Sequence, residues 1–128
     1  MTRVFPLALA IIASALPALA QDGGGMAMMH EMDGKMMMMA PDGASAATQG
    51  YVDAMNSMSA GMMMEFTGDP DVDFIRGMIP HHQGAVDAAK VELQYGTDTE
   101  ARAFAEKVIA AQEAEIAWMT EWLAARGQ

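Results

Sequence analysis

Apolar positions recur at three- and four-residue intervals along the second half of the chain, and the alternation of a half-buried strand is missing. The first such stretch predicts a helix from about Gln49 to Phe66, with Tyr51, Met55, Met58, Met62 and Phe66 on one face and Gly68 beyond its end. Asp69-Pro70 then supplies a cap followed by proline at the first helical position, with Asp71 and Asp73 in the positive first turn. That second helix is expected to reach about Tyr95, where Gly96 stops it. Thr97 or Asp98 caps a third helix, with Glu100 beside it, running to Ala125. With strand signals absent, residues 49–128 are expected to form an all-α bundle of three helices.

Upstream the pattern breaks. Residues 21–48 are rich in Gly, Ala, Asp and Met, contain Pro41, and show neither a helical nor a strand period. A flexible, disordered Met-rich tail is expected there. Residues 1–20 carry Arg3, an apolar run from Val4 to Leu16, and Ala18-Leu19-Ala20 as a small-x-small cleavage site. This is the pattern of a secretory signal peptide cut after Ala20. The apolar run is short for a membrane span and is broken by Pro17. The expected product is a soluble, acidic, periplasmic protein with no membrane anchor after cleavage.

Composition then narrows the chemistry. The 128 residues hold 17 acidic and 7 basic side chains, for a net charge of −10. Without a basic cluster, nucleic acid and anionic lipid are poor partners. There is no cysteine, which excludes thiol nucleophiles, disulfides and thiolate metal sites. Methionine is the anomaly, at 16 residues, eight of them between positions 26 and 39. A folded unit of about 80 residues is near the size where one core becomes marginal, so a homodimer or a bound metal would help hold it together.

On the second helix one stripe is Phe74, Met78, His81, Ala85 and Ala88, and its neighbour is Ile75, Ile79, His82, Val86, Ala89 and Leu93. Both histidines are thereby expected on the buried side. Met78 precedes them by three and four positions, and Pro80 removes an amide donor beside the cluster, where a kink is expected. A lone histidine on an apolar face would be a hydrogen-bonded core residue. Two adjacent histidines with a thioether one turn away favour a ligand role instead, one weakened by acid because a ligating imidazole must be neutral. The third helix offers Ala105, Ile109, Gln112, Ile116, Met119 and Leu123 as its apolar face, with Glu115 at the border. Gln112 and Glu115 are expected to orient an imidazole N–H or to bridge helices, with a partly exposed flank residue as the equal alternative for Glu115. Met119 is either a third-helix ligand or core filling.

Met55, Met58 and Met62 stack on one face of the first helix, where methionine more often serves packing than metal binding. In the tail, Met26, Met28, Met29, Met32 and Met36 to Met39 have no helix face to fill, and His30 lies among them. Thioether sulfur is a soft, neutral donor suited to copper(I) and silver(I), and it keeps that capacity where thiols would oxidise.

From about Met55 to Leu123 the chain resembles the domain of unknown function 305 family. The resemblance rests on Gly68-Asp69-Pro70-Asp71, Asp73-Phe74-Ile75, Met78-Ile79-Pro80-His81-His82-Gln83-Gly84-Ala85, Glu92-Leu93, Tyr95-Gly96, Ala111-Gln112, Glu115-Ile116, Met119 and Trp122-Leu123. It implies a ferritin-like antiparallel bundle and, through relatives of the CopM type, a periplasmic copper-binding protein of copper tolerance. It transfers ligand roles to Met78, His81, His82 and Met119, with Met55, Met58 and Met62 as further candidates. Ala88 departs from it, since many relatives carry methionine there.

The function expected is therefore copper(I) sequestration, tolerance or transfer through Met and His ligands, without enzymatic turnover. Metal ions and a copper donor or acceptor protein are the partners expected. A ferritin-like metalloenzyme is the first alternative, but no Glu-x-x-His pair exists to hold two irons. A metal-free helical interaction module is the second.

Overall fold

The computed structural model describes residues 28–32 and 35–128, so the leader assigned to residues 1–20 and the candidate ligand Met26 lie outside the described residues. Three helices dominate: α1 (Ala46–Met62), α2 (Pro70–Tyr95) and α3 (Thr99–Ala124). The all-α class follows. Among the described residues no helix is long and apolar enough to cross a membrane.

α2 is the central element. α1 and α3 each pack against it and not against each other. Both pairings are antiparallel. A Cβ on Gly50, Gly84 or Gly61 would meet Val91, Met58 or Pro80, so α1 descends α2 as the numbers along α2 run the other way. On the far side Val72 and Ile75, early in α2, share a core with Met119 and Leu123, late in α3. The closest approach of α1 to α2 depends on missing side chains. A Cβ at Gly61 would stand 2.6 Å from the Pro80 ring, and one at Gly84 would stand 2.7 Å from Met58. α2 continues through Pro80, whose ring thereby seats against the bare backbone of α1.

Each helix begins where a side chain can accept its free amides. Asp69 takes the Asp71 and Val72 N–H groups, and Asp98 takes that of Ala101, both as the sequence leads one to expect. α1 begins three residues before the expected Gln49 because Ser45 caps it, accepting from the Thr48 N–H at 3.1 Å. It also stops at Met62 and not at Phe66. Phe66 keeps the helical spacing but is 80 % exposed, so nothing rewards another turn there. Gly96 does end α2, yet at φ −69° it is not left-handed. The last carbonyls are satisfied instead by the Arg102 guanidinium, which donates to Leu93 at 2.6 Å and to Gly96 at 3.0 Å.

The expectation of a disordered tail fails for part of residues 21–48. Strands β1 (Met28–Met32) and β2 (Lys35–Met39) pair antiparallel, with Met28 opposite Met39 and Met32 opposite Lys35. The sequence signal for this pairing is Asp33-Gly34, one of the dipeptides favoured between two hairpin strands. Asn56 of α1 fixes the hairpin to the bundle. Its amide accepts from the Met38 N–H and donates to the Met38 carbonyl, both at 2.8 Å, as a neighbouring strand would.

Candidate metal centre

Helix geometry decides which histidine faces the core. Successive residues on a helix point about 100° apart, so His81 and His82 cannot share one direction. His82 turns toward α3 with 16 % of its side chain exposed, whereas His81 lies on the solvent side. Their rings stand 6.0 Å apart at 61°. The expectation that both imidazoles are buried together is thus corrected. The stripe Ile75, Val86 and Ala89 is the buried one, while Phe74, in the other stripe, is 62 % exposed.

Between α2 and α3 lies an open cleft of about 340 Å³. Its walls include Met78 and His82 from α2 and Glu115 and Met119 from α3, framed by Phe74 and Trp118. Four of the residues singled out in the sequence therefore meet in one place: two thioethers, one imidazole and one carboxylate. Met119 is 4 % exposed and belongs to the core, with Met78 packed against the same cluster. Packing is thus the role that these contacts show for Met119.

The hydrogen bonds of His82 define its reach. Nδ1 lies 2.8 Å from the Met78 carbonyl oxygen, which can only accept, so this nitrogen carries a proton. Nε2 lies 2.6 Å from Glu115 Oε2. Glu115 was expected to pair with a histidine, and it does, although its own side chain is 59 % exposed. A carboxylate in that position is free to swing into water. With the carboxylate turned away and the Nε2 proton released to water, Nδ1–H still donates to the Met78 carbonyl and Nε2 offers its lone pair to the cleft, the tautomer that a metal ligand needs. Gln112, the other expected partner, is half-buried and makes no side-chain hydrogen bond to either imidazole.

The remaining candidates lie elsewhere. Met58 packs on Gly84 at the α1–α2 contact. Met55 and Met62 are each 44 % exposed, so the first-helix stripe is not simple core filling, but it does not reach the cleft between α2 and α3. Met28, Met29 and His30 sit on exposed β1, and Met32 is its last residue. Among the described residues, no group of three or more His, Asp or Glu side chains is placed to hold a metal, so the cleft lacks the oxygen-rich donor set of a hard cation.

A family model described as "Domain of unknown function (DUF305)" matches residues 13–123. No curated protein matches the chain.

Proposed function

Since the chain belongs to the domain of unknown function 305 family, whose description leaves the activity open, we propose that it is a copper(I)-binding protein that sequesters or hands on the ion. The observation that carries this is the convergence of Met78, His82 and Met119 on one cleft of a protein without cysteine. Two thioethers and an imidazole are neutral, soft or borderline donors, a set that suits copper(I) or silver(I) and offers little to magnesium or calcium. Phe74, Ile75 and Trp118 surround them with apolar surface, which lowers access of water to a bound ion. Glu115 occupies the imidazole nitrogen that the ion would take, and its exposure makes the exchange inexpensive.

The secretory pattern of residues 1–20 supports a periplasmic setting for this function, where thioether ligands outlast thiols. A ferritin-like bundle is the architectural expectation that accompanies it. Copper here is cargo, so no turnover is assigned. Replacing His82 by Gln together with Met78 and Met119 by Leu removes the cleft's ion in an anaerobic copper(I) titration, while a failure to remove it refutes the site.

A further inference from the structure

Strand register sorts the tail methionines in a way their spacing alone does not. Residues directly opposite each other on paired strands share a face, as do residues two apart on one strand. Met28 faces Met39 and His30 faces Met37, so these four side chains form one patch. Met29 and Met38 face each other on the opposite side, where Glu31 also points. Met28, Met37 and Met39 are 67 %, 39 % and 45 % exposed and His30 is exposed; on the other face Met29 is 61 % exposed, while Met38 is half-buried, its backbone held by Asn56.

Thioethers this exposed gain only part of the benefit of burial, and a two-stranded ribbon is marginally stable alone. Opposed side chains start about 5 Å apart, and neighbours along a strand start about 7 Å apart. Methionine has three flexible side-chain torsions, enough for three sulfurs to close on a point between the strands beside the His30 ring. The carboxylate of Glu31 stands on the other face, which leaves the patch with neutral donors only.

We propose that Met28, His30, Met37 and Met39 form a second monovalent soft-metal site, separate from the cleft, that binds one copper(I) or silver(I) ion and staples β1 to β2. The choice of ion rests on the copper assignment above, but the site does not share a residue with the cleft. Met29 is excluded by its face. Met37 and Met39 enter only through the pairing.

Silver(I), which needs no protection from air oxidation, is the probe. Protein labelled at the methionine methyl carbons, and carrying His82→Gln, Met78→Leu and Met119→Leu to silence the cleft, is titrated and followed by nuclear magnetic resonance. The Met28, Met37 and Met39 methyl signals are expected to move together and saturate at one equivalent, with amide exchange slowing at His30 and Met37. Met37→Leu with Met39→Leu, or His30→Gln alone, weakens binding tenfold or more, whereas Met29→Leu changes it less than twofold. Leucine preserves volume, and backbone shifts report whether each variant keeps the hairpin. The proposal is overturned if Met29→Leu weakens binding as much as the Met37 and Met39 pair, or if the methyls titrate one by one without saturating. If the intact cleft binds copper(I) while the hairpin methyls stay still, the hairpin site is wrong and the copper assignment stands. Silence at both places removes both.

Discussion

Asp73 shows how much one exposed carboxylate can organise. It accepts from the Thr67 N–H at 2.7 Å, the Thr67 hydroxyl at 2.8 Å and the Gly68 N–H at 3.1 Å, tying the α1–α2 connection to the first turn of α2. These bonds, the Thr67 amide first, hold its carboxyl below the usual aspartate value. Because the folded value is depressed, the stabilisation is complete above the unfolded value of about 4 and fades as pH falls through the lower folded one. Thermal unfolding from pH 6 down to pH 2 should therefore show Asp73→Asn less stable than the parent at pH 6, with the gap closing in acid. A constant gap would contradict the assignment. Gly68, at φ 89°, completes the same connection in a conformation that favours glycine. At this scale the sequence was informative about identity but not direction. Met78 and His82 were legible as a pair, since i and i+4 share a helix face. The outward turn of His81 was not, because both flanks of α2 are apolar and only the placement of α3 selects one.

Among the elements, the helices follow from capping chemistry and apolar spacing. Asp69-Pro70 and Asp98 mark their starts within a residue, because a cap is a local interaction. The end of α1 and the hairpin were not legible from periodicity, since both depend on what the segment packs against. Asn56 reads as one more polar residue on α1 until Met38 is beside it. Asn56→Ala removes two hydrogen bonds worth about 1 kcal/mol each. Amide exchange at Met38 should then accelerate about tenfold or more, with the helices unchanged; unaltered protection would show that the hairpin holds by other contacts. The α1–α2 seam makes a separate demand. Gly84→Ala drives a methyl group into Met58 and should cost about 1–3 kcal/mol by overpacking, read from denaturant midpoints. Adding Met58→Ala should recover part of that loss, which an effect on backbone entropy alone would not allow.

As a whole the molecule is one helix flanked by two, with a thin core. Val86 is the one side chain among the described residues that is fully buried, and Phe74, Phe104 and Trp118 stand more than half exposed. A groove between the outer helices, with Tyr51 on α1 and Phe104 and Val108 on α3, leaves apolar surface open. So small a core is expected to gain measurably from a bound ion, which links metal binding to folding. Whole-molecule organisation was legible as far as the class and the order of helices. The separation of α1 from α3, which puts the cleft on the α2–α3 side alone, was not, because three amphipathic faces can close in more than one way.

The most direct measurement is an anaerobic titration of copper(I) against a chromophoric chelator, comparing the parent with Met78→Leu/His82→Gln/Met119→Leu. The parent should withdraw one more copper(I) ion from the chelator than the variant, with the variant still helical by circular dichroism. Superimposable isotherms from two folded proteins would contradict a copper site in the α2–α3 cleft.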